Sequence, residues 1–314
     1  MQYYQQDIAL GSKTGVSLVS DAHPDQVAQL YQALWRDIFV FERRFSRFLP
    51  GSELSLLNRS AGAKHGVSPE FRLLLLAARD SAEQSGGLYN PFILPALQAA
   101  GYQHSRVPGH EHDTVDDHSH KVIATIDQLE IGDDWVRIPY GTALDLGGCG
   151  KGYLAAQLQR SLPEYITGYW LSLGGDIAVG GRDAHGEPWA VGVQNTNPAL
   201  PDVGTLTITG PCGVATSGTT VHKGKTAGKA WHHLVDPRTN EPAKTDVLLA
   251  TVCDPSPLRA DVLASCAVIL GSERGVQFLQ DQNVRAAVLQ CAPRRGKPRV
   301  LYFGNGIIMD SIYA

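Results

Sequence analysis

Three groups of residues in this sequence have the types and the spacing to do chemistry. The first runs from Leu144 through Asp145-Leu146-Gly147-Gly148-Cys149-Gly150-Lys151-Gly152 to Tyr153, with four glycines in six positions ahead of a helical pattern. Glycines let backbone N–H groups approach an anion closely, a helix N-terminus adds partial positive charge, and Lys151 adds a full one. Read as strand, tight loop and helix start, the stretch suits a phosphate, so a nucleotide or dinucleotide is the first ligand to expect. It is neither of the familiar phosphate loops. Gly152 follows Lys151 where a Walker loop needs Ser or Thr, and Tyr153 stands at the third glycine position of the dinucleotide fingerprint. Taken alone, a tight turn that binds nothing explains the stretch equally well.

The second group is Trp231-His232-His233-Leu234-Val235-Asp236-Pro237-Arg238. A histidine close to an aspartate is either a general base with its orienting partner or a satisfied structural pair. The third is Asp261 with Ser265, on a helix expected to start at Ser256-Pro257. The i, i+4 spacing puts a carboxylate and a hydroxyl on one face, hard oxygens fit for magnesium; the alternative is an exposed Asp and a Ser bonded back to its own helix. Two lesser signals are Asp176 after Gly174-Gly175, and Thr216-Ser217, whose hydroxyls either face a ligand or cap a turn. His104, His110, His112, His118 and His120 lie among aspartates, but their spacing matches no metal site and has no helical period, so they are assigned no chemistry.

The elements that must position these groups are legible in outline. Residues 1–20 alternate loosely around Gly11 and suggest an opening hairpin. Val27, Leu30, Tyr31, Leu34, Ile38 and Phe41 have helical spacing from Pro24 to about Phe45. A polar loop follows through Phe45-Ser46-Arg47-Phe48 and Ser52 to Asn58, the alternative being a short helix capped by Ser52 with Ser55 and Asn58 solvated, and Ser68-Pro69 opens a helix through the core run Leu73–Leu76 toward Gln84. Tyr169–Leu173 reads as a buried strand, with Trp189–Val193 and Leu206–Thr209 as neighbours. The segments 300–303 and 307–309 read as a closing hairpin turning at Gly304-Asn305-Gly306.

Composition excludes several classes. The 314 residues carry 31 acidic and 27 basic side chains, a net charge of −4, which gives no pull toward nucleic acid. A hydrophobic content of 43% with 18% charged residues is that of an ordinary globular protein large enough for a substantial core. The start of the chain is neither basic nor apolar, and no apolar run reaches the roughly 18 residues of a spanning helix. If the sequence is full length, a cytoplasmic protein without a membrane partner is expected. Cys149, Cys212, Cys253, Cys266 and Cys291 are scattered without a Cys-x-x-Cys pair and read as reduced, mostly buried thiols.

Taken together, these stretches resemble the ApbE-like family, the FAD:protein FMN transferases, which attach FMN covalently to Ser or Thr of target proteins. The resemblance runs from about Phe45 to Gly271. It rests on Ser52-Glu53-Leu54-Ser55 with Asn58, Gly87 through Pro91, Asp145 through Gly148 with Lys151-Gly152-Tyr153, Gly174 through Ile177, Ala215 through Gly218, His233 through Arg238, and Ala260-Asp261 with Ser265, all in family order.

The resemblance implies a mixed α+β fold with largely antiparallel sheets and packed helices, in two lobes around an FAD cleft, as one domain over residues 1–314. It implies FAD as substrate, Mg²⁺ on Asp261, Ser265 and the Gly150 carbonyl, and an acceptor protein whose hydroxyl displaces AMP. His233 becomes the candidate base with Asp236 orienting it. Glu53, Ser55, Asn58, Asn90, Gly148, Lys151, Asp176, Thr216 and Ser217 become cofactor-pocket candidates; Glu53, Ser55 and Asn58 either hold the adenine or ribose end or fix the loop. Two other readings stay open, an FAD pyrophosphate hydrolase and a non-catalytic flavin binder. The chain departs from the family at Gly87-Leu88-Tyr89-Asn90-Pro91-Phe92, where Gly-Ala-Phe-Asp-Pro-Thr is usual, and at Cys149-Gly150, where Ile-Ala is usual. Ser265 replaces Thr and keeps the oxygen.

Overall fold

The structure, a computed structural model, describes residues 1–103, 122–226, 228–294, 297–304 and 308–310. The five histidines between 104 and 120 lie outside the described residues. Contacts divide the chain into two compact units, one of residues 1–37, 151–220 and 244–314, the other of residues 38–150 and 221–243. Neither unit is continuous in sequence, which is why no linker tract marks a boundary.

The described helices are α1 Pro24–Phe45, α2 Glu53–Arg59, α3 Pro69–Gln84, α4 Leu94–Ala100, α5 Gly150–Ser161, α6 Pro257–Leu270 and α7 Ser272–Asp281. Their starts follow local chemistry. Ser52, Ser68 and Ser256 accept the N–H of Ser55, Phe71 and Arg259 into the open first turns of α2, α3 and α6. Helix α1 buries Val27, Tyr31, Leu34 and Ile38 along one stripe. The leucine run of α3 is only partly core: Leu74 and Leu75 are fully buried, whereas the helical period turns Leu73 outward, 51% exposed.

The first unit is built on an eight-stranded sheet in the order Gln2–Ala9, Ser12–Ser20, Ile166–Leu173, Asp176–Gly181, Cys212–Gly218, Val247–Asp254, Ala286–Arg294 and Lys297–Gly304. Every neighbouring pair is antiparallel. The expected opening hairpin is its first pair. A second tight hairpin pairs Leu173 with Asp176 across Gly174 and Gly175, whose φ values of 68° and 96° are those a two-residue primed turn demands.

One sheet face packs Val179, Val214 and Val288 against Trp189, Val191, Leu206 and Ile208 of a three-stranded sheet. The other face carries α6, which is buried nearly all round. Two sequence expectations fail here. The segments near the C-terminus do not form a hairpin with each other: Lys297–Gly304 pairs with Ala286–Arg294, while Ile308–Asp310 joins Gly204–Ile208 in the smaller sheet. The expected turn at 305–306 lies outside the described residues. Nor are all the cysteines thiols. Cys212 and Cys253 form a disulfide with Cα atoms 6.5 Å apart, because neighbouring strands bring together two residues remote in sequence, whereas Cys149, Cys266 and Cys291 are free and buried.

The second unit contains α2, α3, α4 and the end of α1, with Leu54, Leu57, Phe71, Leu74, Leu75, Phe92 and Leu144 fully buried. A small sheet of His65–Gly66, Trp135–Arg137 and Glu130–Ile131 belongs to it. So do the hairpin of Lys223–Thr226 with Lys229–His232 and the short pair Val235–Asp236 with Glu241–Pro242.

Gly213 is where the sheet admits α6: a Cβ there would lie 2.2 Å from Pro257 Cα and 2.6 Å from its nitrogen. Gly213→Ala is expected to push the start of α6 off the sheet and to lower stability by about 1–3 kcal/mol or more, read from chemical denaturation.

Candidate active site

In the first unit Gly152 meets α6 without intervening side chain. A Cβ on Gly152 would fall 2.6 Å from Pro257 O and 2.8 Å from Asp261 Cβ, so only glycine lets the start of α5 lie against α6. Its N–H donates to Asp261 Oδ2 at 3.1 Å. Asp261 is 4% exposed, which disposes of the exposed-aspartate alternative. Lys151 Nζ is ion-paired with Asp176 Oδ2, and Asp176 is buried at the first position of its strand. Burial first, and then the Asp176 carboxylate, push the Asp261 carboxyl up to about 7; Lys151 and the Gly152 N–H act in the opposite direction.

One turn along α6, Ser265 Oγ lies 2.8 Å from Ser217 Oγ. Thr216, next to Ser217 on the same strand, points to the opposite face and meets Thr251 Oγ1 of the paired strand at 2.9 Å. The two hydroxyls paired in the sequence reading are therefore parted by the pleat.

In the second unit the expected strand before the glycines is absent. Residues 142–146 belong to no helix or strand. Asn58 takes a strand partner's place, donating from Nδ2 to Leu144 O at 2.9 Å and accepting the Leu144 N–H at 2.8 Å. The Asp145 N–H donates to Pro91 O at 2.7 Å, and Asp145 Oδ1 accepts the Gly147 N–H at 2.8 Å. Asp145 Oδ2 takes Arg47 Nε at 2.6 Å in an ion pair whose side chains are only 11% and 6% exposed. Tyr89 lies under the loop. Its ring stands 3.3 Å from where a Gly148 Cβ would be, and its hydroxyl lies 2.9 Å from Cys149 Sγ. Gly150 opens α5 and donates to Leu146 O at 2.7 Å.

The other candidates hold backbone or one another. Glu53 binds Arg44 Nε at 2.6 Å and Ser68 Oγ at 2.7 Å. The Ser55 N–H donates to Ser52 Oγ and the Ser55 hydroxyl to Arg47 O at 3.4 Å. Asn90 accepts from the Phe92 N–H and donates to Ala124 O, so the changed 87–92 stretch spends its amide on a cap and its phenylalanine on the core. Asp236 binds Arg238 through Nε at 2.8 Å and Nη2 at 2.7 Å. The His233 N–H donates to His222 O at 3.0 Å, and its ring meets those of His222 and Tyr102. His232 Nε2 donates to Ala243 O at 3.0 Å, and burial lowers its pKa. Arg47, Tyr102 and His222 escaped sequence reading. The only hint was Arg47 within a polar loop, since its acidic partner is remote in sequence.

A family model described as the ApbE family matches residues 10–289. The chain belongs to the ApbE family. This ApbE chain is 30% identical over 247 residues to a Vibrio cholerae protein named FAD:protein FMN transferase, covering 77% of this chain and 73% of that one. It is 26% identical over 296 residues to a Treponema pallidum protein of the same name, covering 89% and 82%. A Klebsiella pneumoniae relative of that name is 30% identical over 142 residues, where the match spans only 41% of the relative's length and 45% of this chain. The crystal structure of the apo flavinyl transferase ApbE from Pseudomonas stutzeri superposes with a TM-score of 0.79 at 22% identity, over 98% of this chain and 95% of that one. An ApbE protein from Thermotoga maritima gives 0.80 at 20% identity over 98% and 97%. The mixed α+β fold with antiparallel sheets is therefore the ApbE fold. No described helix is long and apolar enough to cross a membrane.

The Asp261 carboxyl makes stability depend on pH in a fixed direction. With its pKa raised from 3.8 to about 7, the folded state keeps a proton that the unfolded chain gives up. Its contribution is thus full below about pH 4 and is lost as pH rises through about 7. In EDTA, the melting temperature of Asp261→Asn should gain on that of the parent protein between pH 4.5 and pH 7.5.

Proposed function

We propose that the protein is an FAD:protein FMN transferase that uses Mg²⁺ and moves FMN to a Ser or Thr hydroxyl of an acceptor protein, releasing AMP. The observation that carries this reading is the buried Asp261 carboxyl against the Gly152 amide, beside the Lys151–Asp176 pair. Family membership and the names of the relatives support it from outside the geometry.

The donor set fits a hard divalent ion. Two carboxylates, one raised to about 7 by burial and by the other, share a single ammonium, and a neutral hydroxyl sits one turn away. No group of three or more His, Cys, Asp or Glu among the described residues could hold a metal. Asp261 and Ser265 would hold Mg²⁺. When bound, Mg²⁺ would withdraw charge from the FAD pyrophosphate.

The chain's own groups supply the rest. The glycine stretch carries no side chains that would keep a pyrophosphate away from the start of α5, and the Lys151–Asp176 pair fixes that start. The acceptor hydroxyl attacks the phosphorus on the riboflavin side, the bond to the AMP oxygen breaks, and the hydroxyl proton passes to His233. Asp236, clamped by Arg238, holds the short 233–238 segment that carries His233. Asn58, Ser55 and Glu53 act by fixing the loop, the second of the two roles open to them from sequence.

Mixing the protein with FAD, Mg²⁺ and a flavin-acceptor domain should give an acceptor band that fluoresces after denaturation, together with AMP, and EDTA should abolish both. Free FMN with AMP and no band would mean hydrolysis, and intact FAD would mean a binder. His233→Ala should slow transfer by about 10²–10⁴-fold while FAD still binds; equal loss of binding and transfer would make His233 a binding residue instead. Asp261→Ala should remove both activity and the response to Mg²⁺, and an unchanged Mg²⁺ requirement would refute the ligand assignment.

A further inference from the structure

The second unit holds a group of rings that the proposed chemistry has not used, with Tyr102 at its centre. The Tyr102 backbone is pinned where α4 ends: Gly101 takes a φ of 116° and the Tyr102 N–H donates to Leu97 O at 2.9 Å. On one side Arg47 donates from Nη2 to Tyr102 O at 3.1 Å, while its guanidinium lies 4.7 Å from the Tyr102 ring centre and 4.1 Å from that of Phe48. On the other side the Tyr102 ring meets His222 at 5.5 Å, Trp231 at 6.1 Å and His233 at 6.2 Å between ring centres. Tyr102 also packs on the cluster of Ala96, Leu97 and Val235, and Val235 belongs to the segment carrying His233.

His222 adds a second mark. It holds a φ of 46°, a left-handed backbone that a residue with a Cβ adopts at a cost, and there its carbonyl takes the His233 N–H and its ring lies 5.1 Å from that of His233. A planar guanidinium that stacks on two rings and donates within its plane is a fixed anchor that lysine cannot reproduce.

We propose that Tyr102 is a positioning residue for His233, held in place by Arg47. The inference rests on His233 being the base of the proposed transfer. Its physical basis is that an imidazole must stand within hydrogen-bond reach of the proton it takes, and the ring of Tyr102 limits how far His233 can turn. The Tyr102 hydroxyl lies 3.5 Å from His222 Nδ1, at the margin of a hydrogen bond, so the ring rather than the hydroxyl is the working part.

Tyr102→Leu should lower kcat for FMN transfer by about 10–100-fold while the Kd for FAD stays within about threefold, and Tyr102→Phe should restore kcat to within about threefold. In a His233→Ala background, Tyr102→Leu should cost nothing further, since there is no base left to position. The same loss in both backgrounds would overturn the proposal. Imidazole ¹H–¹⁵N spectra, with His233 assigned through His233→Ala, give a readout independent of activity. His233 resonances that move in Tyr102→Leu and Arg47→Lys but not in Tyr102→Phe support the proposal, and unmoved resonances in Tyr102→Leu overturn it. Moved resonances in a protein that transfers no FMN would uphold the positioning contact and remove the proposed function.

Discussion

A carboxyl group buried on a helix is the constraint to which the first unit answers. Asp261 sits on α6, which is apolar nearly all round, and a charge there is tolerated only with partners. The Gly152 amide is one partner, and it reaches the carboxylate because no Cβ stands in the way. The Lys151–Asp176 pair is the other, and it brings a second negative charge with the positive one. Burial and that second carboxylate together raise the Asp261 carboxyl to about 7. The sheet sets up this arrangement: Gly213 lets α6 settle on it, and the tight Gly174-Gly175 turn delivers Asp176 at the start of a strand.

The second unit spends its polar groups on holding a loop. Asn58 replaces a missing strand neighbour for Leu144, and Asp145 is gripped by Arg47 while it caps Gly147. These contacts are buried and directional, so they fix backbone rather than merely lower energy. Arg47 is the branching point, since the same guanidinium that holds Asp145 also stacks on Tyr102. Family departures fall where the structure absorbs them. Cys149 Sγ meets the Tyr89 hydroxyl, Asn90 caps the turn that follows it, and Phe92 fills the core.

Sequence reading placed α1, α3 and the start of α6 to within a residue or so because capping serines and prolines act locally, whereas 53–59, read as a polar loop, is a helix with Ser55 and Asn58 buried. It failed where the answer depended on a remote partner. The strand expected at 144–146 is a segment paired with an asparagine side chain. The C-terminal strands, adjacent in sequence, belong to different sheets. Cys212 and Cys253 carry no local spacing signal, yet neighbouring strands make them a disulfide. Thr216 and Ser217 read as one hydroxyl pair, but the two-residue period of a strand sends them to opposite faces.

By itself the sequence determined the starts of α1, α3 and α6, the glycine turns, the antiparallel α+β class and family membership, because each depends on local backbone chemistry or on the order of short motifs. It also marked Asp261 and Ser265 as one helical face and Lys151 and Asp176 as charges worth noting. Only the tertiary structure decided that Asp261 is buried and raised to about 7, that Lys151 pairs with Asp176, that Arg47 holds Asp145, and that Tyr102 and His222 flank His233. The reason is common to all four. Burial and pairing depend on which residues meet across long stretches of chain, and no spacing along the chain encodes that distance.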